Sequence, residues 1–491
     1  MIPLRSVIFF VTVFLFLSSC AVYAPKVLNP VPPTKEKRRE DRAWVSSSPY
    51  WLDRQACRWM GLCGLHHLRS DPPTRSIYVP PPHDGELDDE DAAGRRLELR
   101  SLPVLDDAAR EAAWESVPTS QLTGQGIPKF VLDHAPLVHM CSQENFWPAD
   151  IAEHIQHVSP HIDTSVDDDP DRLNLTQPLS LHNLHEMLNN YSASVFLVSD
   201  TDVEHRPEWL HSDVGIPVHS DDSDFDDGAD DSYEIPDPKM RAGPATTRDL
   251  RPHVLPRQHK PDEGGYSKAP AVLILVDKGS GILDAFWFFF YSYNLGQTVL
   301  GIRFGNHVGD WEHAMVRFEN GIPRGIFFSE HEGGQAYAWS AVEKIGHRPV
   351  IYSAVGSHAM YPLPGVQAYI LPFKLLKDVT DRGPIWDPAK NIYAYHYDYR
   401  LDDPEDPEAQ AQSLMPAEEN PNAPTGWFHY TGAWGDKLYS LADMRQWRLF
   451  GQYHYVTGPM GPKFKALNRE KMCTTNRCRI LNSIVPGTTW Y

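Results

Sequence analysis

The apolar positions of this chain gather into strand-length runs, most of them in its second half. Ala271-Val-Leu-Ile-Leu-Val is a continuous apolar run of the length a buried strand requires. Leu283 to Tyr293 (LDAFWFFFYSY) is dense in aromatics without polar alternation. That pattern suits a strand buried on both faces, and the run is too short to span a membrane. Ala314-Met-Val-Arg-Phe alternates, Asn320-Gly321 supplies a left-handed turn, and Gly325-Ile-Phe-Phe-Ser returns. The spacing predicts a hairpin whose register Pro323 loosens. Pro349-Val-Ile-Tyr-Ser-Ala and Asn391-Ile-Tyr-Ala-Tyr-His-Tyr-Asp-Tyr add two strands, and Trp147 to Ile155 reads as a short helix with Pro148 in its first turn. The fold class is therefore mainly β: an antiparallel β-sandwich core of roughly eight strands, with peripheral helices and long irregular acidic insertions.

Polar composition sets the boundaries of this domain. Residues 25–125 are rich in proline and charge, as in Pro72-Pro73 and Tyr78-Val-Pro-Pro-Pro-His, and read as irregular apart from a helix over Asp106–Ser116. Order begins near Pro128, and a single β-rich domain is expected over 126–485, interrupted at 201–265 and 402–425. The first interruption holds seven aspartates in the eleven residues Asp221–Asp231. A calcium loop starting at Asp222 would have its glycine one place late, at Gly228, and Tyr233 where a glutamate is wanted, so a solvated acidic insertion is the better reading.

The first 24 residues bear on the compartment. Arg5, the apolar run Val7–Leu17 and the small residues Ser18, Ser19 and Ala21 have the layout of a signal peptide cleaved after Ala21. The alternative is an uncleaved anchor extending through Tyr23, and the basic cluster Lys35, Lys37, Arg38 and Arg39 beyond it leaves the orientation open. In both cases the bulk of the chain is expected on the lumenal side, with membrane association possible through the N-terminal segment. In an oxidising lumen Cys57 with Cys63, and Cys473 with Cys478, can each close a short loop, leaving Cys141 as a small buried apolar residue. Asn174-Leu-Thr and Asn190-Tyr-Ser are glycosylation sequons. A net charge of −20 and the lack of a basic patch with interleaved aromatics exclude nucleic acid as a partner.

Candidate chemistry concentrates in Gly305-Asn-His-Val-Gly-Asp-Trp-Glu-His313. Asp310 and Glu312 are two apart and point the same way on an extended chain, and His307 can fold over them across Gly309. An oxygen-rich site with one imidazole suits calcium, magnesium or manganese. A possible second set is Glu330, His331 and Glu332 in Ser329-Glu-His-Glu-Gly-Gly, with His358 in Gly356-Ser-His-Ala-Met-Tyr. Upstream, His139 and Glu144 flank a turn before Trp147-Pro148. On a catalytic reading Glu312, Glu332 or His358 is the general base for a metal-bound water. On a plainer one, acids beside glycine are turn residues and strand-end histidines bond nearby carbonyls. The usual hydrolase, protease and nucleotide-binding motifs are absent.

These same blocks carry a resemblance. Tyr293-Asn-Leu-Gly, the 305–313 block, Ser329-Glu-His-Glu-Gly-Gly and Gly356-Ser-His-Ala resemble the core signature of the fungal vacuolar protein sorting-associated protein 62 family. Ala135-Pro-Leu-Val-His with Trp147-Pro-Ala-Asp-Ile, and Gly458-Pro-Met-Gly-Pro-Lys-Phe-Lys-Ala-Leu, resemble its upstream and C-terminal blocks. The resemblance implies a role in delivering proteins to the vacuole and names no reaction. It places the chain in the secretory pathway, in the vacuolar lumen or membrane-anchored facing it, with secretion as the alternative. Gly305–Glu312 is also similar to the GHRHDWE heptapeptide of necrosis- and ethylene-inducing peptide-like proteins, with Asn306 in place of the first histidine and Gly309 as an extra residue. That similarity implies His307, Asp310 and Glu312 as ligands of a divalent cation used in membrane-lipid recognition. Two functions follow: a non-enzymatic sorting protein that binds a lipid headgroup, glycan or cargo protein through a cation-bearing loop, or a metal-dependent hydrolase using the same loop with His331 and His358. The first is favoured, because no nucleophile-base pair is evident from spacing.

Overall fold

A computed structural model describes residues 34–72, 126–162, 179–188, 195–217, 264–299, 301–331, 333–369, 376–474 and 478–484, together with positions 13, 32 and 74. The signal or anchor segment, the proposed helix at 106–116, the sequons at Asn174 and Asn190, the aspartate tract and Glu332 lie outside the described residues. Among the described residues, no helix is long and apolar enough to cross a membrane.

The aromatic run forms the strand Ile282–Asn294, at the middle of an eight-stranded sheet. From edge to edge the order is Leu414–Pro416, Ile392–Tyr397, Ala271–Gly279, Ile282–Asn294, His307–Glu319, Ile322–Glu330, Gly333–Ala338 and Ile480–Leu481. The central pairings are antiparallel, and two towards the edges are parallel, Ile392–Tyr397 with Ala271–Gly279 and Gly333–Ala338 with Ile480–Leu481. The turn residues do what their types allow. Asn320 (φ 51°) and Gly321 (φ 79°) both adopt the left-handed conformation that a two-residue hairpin turn demands. Pro323 cannot donate to the ladder, and the register shifts between Pro323 and Gly325.

Both faces of this sheet are buried. Ala285, Trp287, Phe289 and Tyr291 join one apolar cluster, facing Val138, Ile351 and Trp386 of a second sheet and Met140 just past its strand end. Phe286, Phe288 and Phe290 join another, under Trp427, Phe428, Tyr430 and Trp434. The second sheet contains Lys344–Ile345, Arg348–Ser353, Leu137–His139 and Ile385–Trp386, with Met360–Tyr361 paired to Arg348–Ser353. The sandwich expected from the sequence is thus present, with an added layer of short helices and loops on the outer face of the larger sheet.

Three segments differ from expectation. Residues 34–72 are not irregular. They contain helices Lys35–Ser46 and Trp51–Met60, and the strand Leu62–Cys63 pairs with Arg448–Leu449. Val45, Cys57, Cys63 and Leu441 form a small core there, reinforced by the Cys57–Cys63 disulfide and an Arg448–Asp41 ion pair. So narrow a buried seam leaves the first helix mostly charged and the apolar residues of the second on its outer side, which concealed both. In 402–425, Asp406 caps the start of the helix Pro407–Ser413 and the chain then adds the edge strand Leu414–Pro416, so an acid there begins a helix while others face solvent. The helix expected from Trp147 begins only at Ile151, because Asp150 is its N-cap and Pro148 bridges to Tyr291 of the sheet. Cys473 and Cys478 are bonded, and Cys141 is free and buried.

A sheet buried on both sides has no tolerant face. Phe288→Ala and Phe289→Ala, on opposite faces, are each expected to lower unfolding free energy by about 3–5 kcal/mol. Equilibrium denaturation of the two variants is the check, and a sheet with one solvated face would show a loss at only one position.

Candidate functional site

The polar residues singled out by the sequence lie at one end of the sandwich. On the strand His307–Glu319, alternation turns Asp310, Glu312, Ala314 and Val316 to the face that meets the second sheet. Ala314 and Val316 belong to the apolar core, whereas Asp310 meets His358 in the turn between Arg348–Ser353 and Met360–Tyr361, and Glu312 meets Ser329. That turn holds Gly356 (φ 72°) and His358 (φ 55°) in the left-handed region. For histidine this conformation costs about 1–2 kcal/mol, so its contacts must hold it.

Those contacts are two charges and a carbonyl. His358 Nδ1 lies 2.9 Å from Asp310 Oδ2, and Nε2 lies 3.0 Å from the Phe146 carbonyl and 3.7 Å from Glu144 Oε1. The ring stacks on Tyr291 with centroids 3.7 Å apart and is fully buried. Burial alone would lower its pKa, but Glu144 and Asp310 outweigh it and raise the value to about 10, so His358 is an imidazolium donating from both nitrogens. Asp310 is held below the usual carboxylate range by that bond and by His307, against its own desolvation. Glu144 accepts from the amides of Asn145, Phe146 and Gly356 at 2.8–2.9 Å.

Glu312 behaves oppositely. Burial and the neighbouring Asp310 push its pKa up to about 8. The Ser329 hydroxyl donates to Oε2 and itself accepts the His313 amide at 2.8 Å. A second knot lies alongside. Asp378, fully buried, accepts from Gln297 Nε2, Ser357 Oγ, Tyr361 Oη and His331 Nε2 at 2.7–2.8 Å. Against the desolvation that opposes it, Asp378 raises the His331 pKa to about 9.

The structure thus brings Asp310, Glu312 and His358 together and places His331 beside them through Asp378. His307 stands at the rim, its Nδ1 2.7 Å from the Gly309 carbonyl, and its pKa is lowered by burial. Glu330 is buried on the neighbouring strand. His139 does not join the cluster: its ring bonds the Gly383 carbonyl and stacks on Tyr352. Sequence reasoning missed Asp378, Tyr291, Asn294 and Ser357. Asp378 stands in a strand with no motif around it, and only its four donors, from three separate segments, identify it.

The donors expected to hold a divalent cation do not fit one as placed. Asp310 Oδ2 is taken by His358 and by Asn294 Nδ2 at 3.2 Å, Glu312 accepts from Ser329, and His307 directs a nitrogen at Gly309. Among the described residues no group of three His, Cys, Asp or Glu side chains is arranged to hold a metal. The protonated ring of His358 supplies a positive charge beside these carboxylates.

The family described as "Vacuolar protein sorting-associated protein 62" matches residues 285–371, a stretch that contains Tyr291, His307, Asp310, Glu312, Ser329, His331 and His358. The "Putative vacuolar protein sorting-associated protein TDA6" of Saccharomyces cerevisiae is 37% identical over 381 residues, covering 71% of this chain and 68% of the relative. "Vacuolar protein sorting-associated protein 62" of the same yeast is 32% identical over 430 residues, covering 82% and 79%. Among solved structures, that of Necrosis and Ethylene inducing Protein 2 from the causal agent of cocoa's Witches Broom disease aligns over 22% of this chain and 49% of its own, at 18% identity and a TM-score of 0.16, too slight to compare folds.

Removing the imidazolium would leave Asp310 and Glu144 buried together. His358→Gln is expected to destabilise the fold by about 3–5 kcal/mol at pH 6. The pH dependence has a defined sign. The contribution of His358 is complete below its unfolded value of 6.5 and is lost as pH rises through about 10. In that window wild-type stability should fall by up to about 1.4 kcal/mol per pH unit from this residue, and the variant should lack this component. Urea unfolding of both proteins between pH 6 and 9.5 measures it.

Proposed function

The chain belongs to the vacuolar protein sorting-associated protein 62 family, and from that membership we propose that it takes part in vacuolar protein sorting as a recognition protein, not as an enzyme. The observation that carries the non-catalytic reading is the commitment of His358. A general base must offer a free nitrogen to substrate or water, whereas both nitrogens of this ring are engaged, the ring is protonated and no part of it reaches solvent. Glu144 and Asp378 are likewise saturated by protein donors. Such a network fixes the shape of the sandwich end and leaves recognition to its rim.

The rim members are His307 and His331, both partly exposed. Ion-paired to Asp378, the partly exposed His331 places positive charge at the rim, which suits an acidic group of a lipid headgroup, a glycan or a cargo protein. The cell compartment consistent with this role is the vacuolar or secretory lumen.

In cells lacking the chain, a soluble vacuolar hydrolase is expected to appear in the medium, and the wild-type chain should restore its retention. A His307→Ala/His331→Ala variant that accumulates normally should not restore it. Retention unaffected by loss of the chain would remove the sorting role. Full rescue by the rim variant, together with loss of rescue in a stably folded Glu312→Gln variant, would favour turnover at the buried cluster instead.

A further inference from the structure

The helix Trp51–Met60 carries its apolar face outward. On a 3.6-residue period Asp53 and Cys57 fall on one side and Trp51, Leu52, Gln55 and Trp59 on the other. The first side is the buried one, with Asp53 accepting the Gly64 amide at 2.7 Å and Cys57 disulfide-bonded to Cys63. The second is open. Trp51 is 63% exposed, Leu52 74% and Trp59 71%, and Tyr50, at 57%, extends the same surface to the helix start, while Met60 at the last helical position is 51% exposed. Leu65 lies beyond, brought near by the edge contact of Tyr50 with His66 at 4.7 Å. Large side chains scattered singly over a surface need no explanation, but a contiguous apolar patch of this kind marks an interaction site. It is also held in place from behind, by the disulfide, by the Asp53 contact and by the pairing of Leu62–Cys63 with Arg448–Leu449.

We propose that this face seats on a lipid bilayer surface. Three observations favour a membrane over a protein partner. The side chains are those of an interfacial helix, since tryptophan and tyrosine place an apolar ring in the acyl boundary and a polar edge at the headgroups. The surroundings are basic in an acidic chain: residues 35–58 hold seven Lys and Arg against four Asp and Glu, whereas the whole chain carries −20. Lys35, Lys37, Arg38, Arg39, Arg42 and Arg58 are all exposed, which suits headgroup phosphates. Finally, only residues 18–34 lie between the apolar run Val7–Leu17 and the first of these helices, so an N-terminal segment retained in a membrane would hold these helices near the bilayer.

Trp51 and Trp59 are the two strongly exposed tryptophans among the described residues, which gives the test a specific signal. The full chain and its Trp51→Ser/Trp59→Ser variant are mixed with phosphatidylcholine vesicles, with and without phosphatidylserine, the acyl chains brominated in a parallel set. Binding by the wild type, quenching of its fluorescence by the brominated chains, and a fall in affinity of about tenfold or more in the variant are expected, because each large apolar side chain withdrawn from water is worth about a decade. Trp51→Phe/Trp59→Phe should retain most of the binding. Neither substitution touches the Val45, Cys57, Cys63 and Leu441 core, and an unchanged melting midpoint confirms the fold. Equal vesicle binding and equal quenching in wild type and serine variant would overturn the proposal, since the contact would then lie elsewhere. Absence of vesicle binding by the wild type would overturn it as well and assign the patch to a protein partner.

Discussion

A strand with water on neither side constrains everything around it. The strand Ile282–Asn294 places large aromatic side chains on both faces of its sheet, so each face needs a covering layer, a second sheet on one side and helices with loops on the other. Polar groups carried by its neighbour, the strand His307–Glu319, cannot then reach solvent by turning over, because the opposite face is equally dry. They have to be satisfied where they stand. Asp310 and Glu312 emerge at the end of the core, and the protein answers them with His358, Ser329 and Asn294 in place of bulk water.

That constraint fixes the charge state of the cluster. Two buried carboxylates two residues apart cannot both ionise cheaply. Asp310 keeps its charge because an imidazolium and an amide face it, and Glu312, with a hydroxyl donor alone, holds its proton. The same reasoning applies to Asp378, whose four donors make its burial tolerable and turn His331 into a cation at the rim. Catalytic and structural uses of such residues differ in whether a nitrogen or oxygen is left to act. Here His358, Glu144 and Asp378 direct their polar atoms at protein groups, and the network joins the sheets together with the turn before Trp147.

How much of this can be read from the chain depends on how local the cause is. The aromatic strand, the hairpin at Asn320-Gly321 and the shared face of Asp310 and Glu312 all follow from neighbours a few residues apart, and all are visible in the sequence. His358 could be suspected as part of the cluster, but its role could not, because its charge arises from Glu144 and Asp310 far along the chain. Asp378 had no local signal whatever. Residues 34–72 were misread for the opposite reason: their composition is that of an open linker, and the two helices are stabilised by docking on Leu441 and Arg448, which no window around them contains. The resemblance to loops that hold a divalent cation was read from residue types alone, and the bonds of Asp310 to His358 and of Glu312 to Ser329 are not visible at that level.

The protonation of the cluster also bears on where it is most stable. Glu312 carries no penalty below its ordinary value of 4.5, and the penalty grows as pH rises towards about 8, because only the unfolded chain ionises freely in that interval. His358 adds a dependence of the same sign above 6.5. Asp310 opposes both, since its contribution is lost as pH falls below its ordinary value of 3.8. The three together are most favourable in an acid interval, above the range in which Asp310 is protonated and near the ordinary value of 4.5, above which the unfolded chain gains from ionising Glu312. A network assembled from a neutral glutamic acid, an aspartate and an imidazolium is therefore better matched to an acidic lumen than to neutral solution, through the chemistry of its own side chains.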